Sequence, residues 1–231
     1  GNAQLINTED FTVNGLTVGK GANAVFNNTA LGVDALDSGS LSGTNNVAIG
    51  YTALNSATTA GYNTAIGDRT LVTTTTGGGN VAVGTLALRY NTQGSNTAVG
   101  RESSTTNTTG QSNTSLGAYS LKLNTTGSFN VALGREALFS NTTASSNTAI
   151  GYQAGFSNVT GASITAVGYQ ALTANTGGNN TAVGRAASDA NTSGTETTSL
   201  GAYALSGNTT GSYNVALGSF SLYSNTTASY N

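Results

Sequence analysis

No histidine, cysteine, methionine, tryptophan or proline occurs in the chain, and each absence closes a route. Without His and Cys, the commonest general base, nucleophile and transition-metal ligands are missing. Without Cys there is no disulfide, and the redox compartment is left unmarked. Charge is scarce as well. Only 7% of residues are Asp, Glu, Lys or Arg, with a net charge of −2, so no basic footprint invites nucleic acid. No apolar run approaches the roughly 18 residues of a membrane-spanning helix, and no signal peptide is legible. Neither enzymatic chemistry, a cofactor nor a bound metal is expected.

What is present is Gly, 32 residues of it, with abundant Asn, Thr, Ser and Ala, 10 Tyr and 6 Phe. Disordered chains are poor in β-branched and aromatic residues; this is the composition of a repeat protein. The repeat is N-x-A-[VIL]-G-x-x-A-L-x-x-N-T-T-G-x-x, twelve times over, best seen in NVALGREALFSNTTASS from Asn130 to Ser146. After the first step the motif glycines, Gly50, Gly67, Gly84 and onward to Gly218, recur every 16 or 17 residues. A second period lies on the first. A shift of 84 residues carries NTSLGAYSLKLNTTGSFNVALG at Asn113 onto TTSLGAYALSGNTTGSYNVALG at Thr197, the mark of a duplicated five-unit block.

A helical hairpin repeat needs more residues than this, and Gly, Asn and Thr inside every unit are poor helix formers. The pattern predicts an all-β fold, a parallel β-solenoid or β-roll of about twelve coils. N-x-A-[VIL]-G reads as one strand, x-x-A-L-x as a second and N-T-T-G as the turn. Stacked at about 4.8 Å, twelve coils make a rod about 55–60 Å long. Gly and Asn are expected to take left-handed backbone conformations at the corners, and stacked Asn to form an amide ladder. Residues 1–27 lack the repeat and read as a cap or junction, in which Phe11–Val13 and Leu16–Val18 flank Asn14-Gly15 as a hairpin. Residues 28–231 read as the solenoid. Asn231 opens a further coil, so a longer parent fibre is expected.

Strand parity separates two columns. One holds only Ala or Ser; its coil-interior candidates are Ala48, Ala65, Ala82, Ala98, Ala132, Ala149, Ala166, Ala182 and Ala216. The other is aliphatic: Ile49, Ile66, Val83, Val99, Leu116, Leu133, Ile150, Val167, Val183, Leu200 and Leu217. A strict size limit suits an interior, which turns the aliphatic column outward and makes it a candidate trimer interface. The alternative is that the aliphatic column fills a monomer core and Ala faces out.

The units NTAIGYQAG, ITAVGYQAL and NTAVG resemble repeats of tail-fibre and virion structural proteins of tailed phages, especially marine ones. FTVNGLTVGKG resembles the segment preceding such repeats. The N-x-A-[VI]-G core also resembles the head repeats of trimeric autotransporter adhesins, although the regular N-T-T-G insert departs from them. The resemblance implies a homotrimer of side-by-side rolls with the aliphatic strand face on the axis. It implies a rigid rod on a virion or bacterial cell surface that supports attachment, with itself and a cell-surface glycan or protein receptor as partners.

Two competing readings attach to particular residues. Thr at the second motif position (Thr29, Thr64, Thr97, Thr114, Thr148, Thr165, Thr181, Thr198) fits an ice-binding monomer, but Val47, Val81, Val131 and Val215 interrupt the ladder. Glycoside hydrolysis needs two carboxylates facing across a sugar, and the nine here scatter among columns. Asp68-Arg69, Arg101-Glu102 and Arg135-Glu136 read as solvated ion pairs. The aromatics at the coil edges are read as ladder stabilisers, or as a carbohydrate platform.

Overall fold

The computed structural model describes residues 11–13 and 16–231. Strand β1 (Phe11–Val13) pairs antiparallel with β2 (Leu16–Gly19), with Phe11 opposite Val18 and Val13 opposite Leu16. This is the expected hairpin; its Asn14-Gly15 turn lies outside the described residues. Strand β2 then lies antiparallel on β3 (Thr29–Gly32). From β3 to β14 (Val215–Leu217) twelve short strands pair parallel, each with the next in the chain, in one continuous sheet. The register never slips: Ala149 sits between Ala132 and Ala166, and Ile150 between Leu133 and Val167. The fold is the parallel β-solenoid that the period demands, with one short 3-10 turn at Ala22–Ala24 as its helical element among the described residues.

The x-x-A-L-x segment is not a second strand. In the coil starting at Asn130, Ala137 N donates to Gly134 O (3.3 Å) and Asn141 N to Leu138 O (3.2 Å), so two tight turns follow one another. Glu136 (φ 61°) and Leu138 (φ 49°) are left-handed. The reason lies in the two small words A-L. Ala137 and Leu138 are adjacent and both buried, whereas a strand sends neighbours to opposite faces. The turns still bond coil to coil: Glu136 N donates back to Ala118 O, and Leu138 N forward to Ala154 O.

The expectation of left-handed backbone holds at the motif glycines and fails at the motif asparagines. The motif glycines are left-handed, with φ 108–147°, and must be Gly. A Cβ on Gly134 would stand 2.5 Å from Gly151 O in the next coil. The two motif Asn columns are not left-handed. They are buried, apart from the end residues Asn225 and Asn231, and their side chains run up the rod. In the turn column, Asn124 Nδ2 donates to Asn107 Oδ1 (2.7 Å) and to Gly127 O (2.9 Å), and Asn141 Nδ2 repeats this on Asn124 Oδ1 (2.8 Å). In the strand column, Asn130 N and Nδ2 both donate to Asn113 Oδ1. A third ladder is made by Thr hydroxyls, with Thr125 Oγ1 donating to Thr142 O (3.0 Å).

The core is therefore narrow: Ala from the strand, Ala-Leu from the turns, and two amide columns. Three local departures mark it. Ser104 and Ser115 face each other at 2.8 Å, joined by Ser103 and Ser120. Ser188 and Ser199 repeat the pair 84 residues on, at 2.9 Å. Between them, Gly155 stands where other coils have Leu, and Ile164 where they have Asn. A Cβ on Gly155 would meet Ile164 Cδ1 at 3.2 Å, so the isoleucine fills the space the missing leucine leaves.

Candidate binding faces

The sheet has one inner and one outer face. Ala48, Ala65, Ala82, Ala98, Ala132, Ala149, Ala166, Ala182 and Ala216 are all buried inside the coil, as are Ser115 and Ser199 in the same column. The aliphatic column points away from them. Leu31, Ile66, Leu116, Leu133, Leu200 and Leu217 are exposed, with Leu116 at 45% and Leu200 at 50%. Ile49, Val83, Val99, Ile150, Val167 and Val183 are half-buried, each in register with the aliphatic residues of the coils above and below. Beside this column, on the same face, runs the Thr/Val column from Thr29 to Val215, exposed or half-buried throughout. No charged residue interrupts either column.

Within the coils charge gathers on one edge, between the motif Gly and the turn Asn. Beyond Lys20 the described chain holds thirteen charged residues. Twelve lie on this edge: Asp34, Asp37, Asp68, Glu102, Glu136, Asp189 and the six remaining cations; only Glu196 lies elsewhere. Arg69 pairs with Asp68 at 3.4 Å and Arg135 with Glu136 at 3.0 Å. Arg101 does not pair with Glu102, because Lys122 of the following coil takes that carboxylate at 2.8 Å. Instead the Arg101 guanidinium lies 4.6 Å from the Tyr119 ring. Every lysine and arginine of the chain lies over an aromatic ring, from Lys20 on Phe26 to Arg185 on Tyr169 and Tyr203. The Arg69–Asp68 pair is solvated and contributes little, on the order of 0–1 kcal/mol; Glu102 and Glu136 are more covered. The cation–ring contacts explain why the aromatics cluster on the charged edge.

Aromatic rings also stack from coil to coil: Phe139 on Phe156 (5.1 Å), Tyr152 on Tyr169 (5.4 Å) and Tyr203 on Phe220 (5.2 Å). A further pair, Tyr213 on Tyr230 (4.9 Å), stacks at the opposite corner, before the motif Asn. Alongside Tyr152 and Tyr169 runs an amide chain that sequence reasoning missed: Gln170 Nε2 donates to Gln153 Oε1 (3.0 Å) and Gln153 Nε2 to Glu136 Oε2 (2.9 Å). The signal was there, as glutamine two positions after the motif Gly in consecutive coils. Among the described residues, no group of three Asp or Glu side chains could hold a metal ion.

Compared with protein-family models, with curated proteins and with solved structures, the chain matches none.

Proposed function

We propose that the chain is a non-catalytic structural module: a rigid rod that joins two further copies through its aliphatic sheet face, in a fibre on a virion or cell surface that supports attachment. One observation carries this reading. Twelve stacked coils present an outward aliphatic column with no charge on its face, while the charges collect on the edge beyond the glycine corner. A soluble monomer rarely leaves so long an apolar stripe open to water, and burying it gains roughly 25 cal/mol per Å². The resemblance of the repeats to phage fibre and adhesin-head units points the same way, and a chain without His or Cys has little with which to do chemistry.

Absolute mass by light scattering tests it. Three times the 22.9 kDa chain mass is the expected value, at every concentration above the dissociation range. A mass of one chain overturns the assembly. The outward Thr column then favours the second reading, a monomeric ice-binding rod, for which thermal hysteresis is the assay.

A further inference from the structure

Across four consecutive coils, the position after the motif Gly reads Arg135, Tyr152, Tyr169 and Arg185, and all four are exposed. The two tyrosines stack at 5.4 Å, and a guanidinium closes each end of the row, at 6.0 Å from Tyr152 and 5.9 Å from Tyr169. These are the longest cation–ring contacts among the described residues, at the outer limit for such an interaction, and Arg185 lies nearer the next ring, Tyr203, at 5.3 Å, so the guanidiniums bracket the two tyrosines without capping them. The Glu136–Gln153–Gln170 chain runs beside the row. Each of its amides spends one N–H on the chain and keeps a second.

Packing does not require the row. Eighty-four residues earlier the same positions hold Tyr51, Asp68, Thr85 and Arg101 on the same backbone. Between the duplicated blocks the buried serine pair is kept, as Ser104 with Ser115 and Ser188 with Ser199 show, whereas this surface row is not.

We propose that the row Arg135–Tyr152–Tyr169–Arg185 and the amides beside it bind a linear acidic polysaccharide lying along the rod. The two arginines stand three coils apart, about 14 Å. Arg135 gives its Nε edge to Glu136 Oε1 and keeps the Nη1–Nη2 edge, and a guanidinium edge suits a carboxylate or sulfate through paired N–H donors. Between them, two aromatic bodies with hydroxyl tips offer sugar rings an apolar surface and a polar rim. The amide N–H groups meet sugar hydroxyls, while Glu136 holds Arg135 and Gln153 in place. The units of such a polymer repeat at about the coil spacing. A DNA strand shares the charge but lacks the free sugar hydroxyls that the amide row would meet, so it serves as a comparator in the test. The row lies past the glycine corner, off the aliphatic face, and the proposal does not rest on the assembly state.

Calorimetric titration of the whole chain with a polyuronate, alginate hexasaccharide, tests it, with a neutral dextran oligomer and oligo(dT) as comparators. Alginate is expected to bind at least tenfold more tightly than either. Arg135→Ala with Arg185→Ala should weaken it tenfold or more. So should Tyr152→Asp with Tyr169→Thr, which installs residues the fold already carries at Asp68 and Thr85. Arg69→Ala with Arg89→Ala, on the same edge outside the row, should leave the affinity unchanged. Absence of alginate binding, tighter binding of oligo(dT), or an equal loss in the Arg69/Arg89 variant overturns the proposal. Light scattering on the same sample separates the two readings: a trimer that ignores alginate sinks this one, and a monomer that binds it sinks only the assembly.

Discussion

Asn124 shows what a single side chain does in this rod. Its Nδ2 hydrogens go to Asn107 Oδ1 and Gly127 O, and its Oδ1 receives Asn141. Asn158, in the same column, keeps only the bond to Gly161 O, and its buried Oδ1 has no partner. Removing one member of a satisfied buried network strands the others, at about 1–3 kcal/mol. Asn124→Ala should therefore lower the denaturation midpoint clearly more than Asn158→Ala, as followed by circular dichroism in urea. The same bonds bear on Asn107, Asn124, Asn141 and Asn208, each followed by Thr-Thr and so each a match to the Asn-x-Ser/Thr acceptor of N-glycosylation. Their amides are buried and fully engaged. Expression through a glycosylating secretory route should yield folded chains unmodified at these four positions, and modified chains that do not fold, distinguishable by mass spectrometry after size exclusion. At this scale the amide ladder was legible, because stacking identical Asn has one obvious use. The left-handed Leu column was not, since L residues avoid that region at about 1–2 kcal/mol each and no composition signal marks it.

At the scale of the coil, the strand was legible and the turn was not. Period-two alternation in N-x-A-[VIL]-G separates the two columns whether or not the side facing in is known. In x-x-A-L-x the same rule misleads, because two adjacent inward residues break the alternation and only a left-handed pair of turns can present both. Substitutions should report this geometry. Gly134→Ala drives a methyl group to 2.5 Å from a backbone oxygen of the neighbouring coil and forces an unfavourable φ of 133°. Its cost should exceed the roughly 1 kcal/mol of an ordinary point mutation, read as a lowered midpoint. The Gly155–Ile164 pair should behave as a unit. Gly155→Leu alone overfills the site and Ile164→Asn alone empties it, and both destabilise. The double variant rebuilds the regular coil, places an amide where Asn147 and Asn180 each reach the preceding turn Asn, and should be more stable than either single variant, with a coupling of about 0.5–3 kcal/mol in a double-mutant cycle.

For the molecule as a whole, the distribution of charge is what separates the faces. It was partly legible: the aliphatic column and the Arg-Glu corners stood out in the repeat, while the gathering of all the cations over aromatic rings needed the coil-to-coil register to be seen. If copies associate through the aliphatic column, a charge placed there should separate them. Leu133→Glu, at the exposed centre of that face, should convert a threefold mass to that of one chain without loss of β signal. Glu102→Gln, on the charged edge, should not.

The serine layers give the rod a mechanical character. Its apolar interior falls into three lengths, from Ala30 to Ala98, Leu121 to Ala187, and Ala204 to Ala216, and the hydroxyl layers at Ser104/Ser115 and Ser188/Ser199 lie between them. Neighbouring coils touch only each other, so a pull on the two ends is borne in series. Each coil that gives way releases 16 or 17 residues, roughly 50 Å of slack. Serine gives less apolar cohesion than the leucine it replaces, so under tension the rod should yield first at those two levels and lengthen in steps.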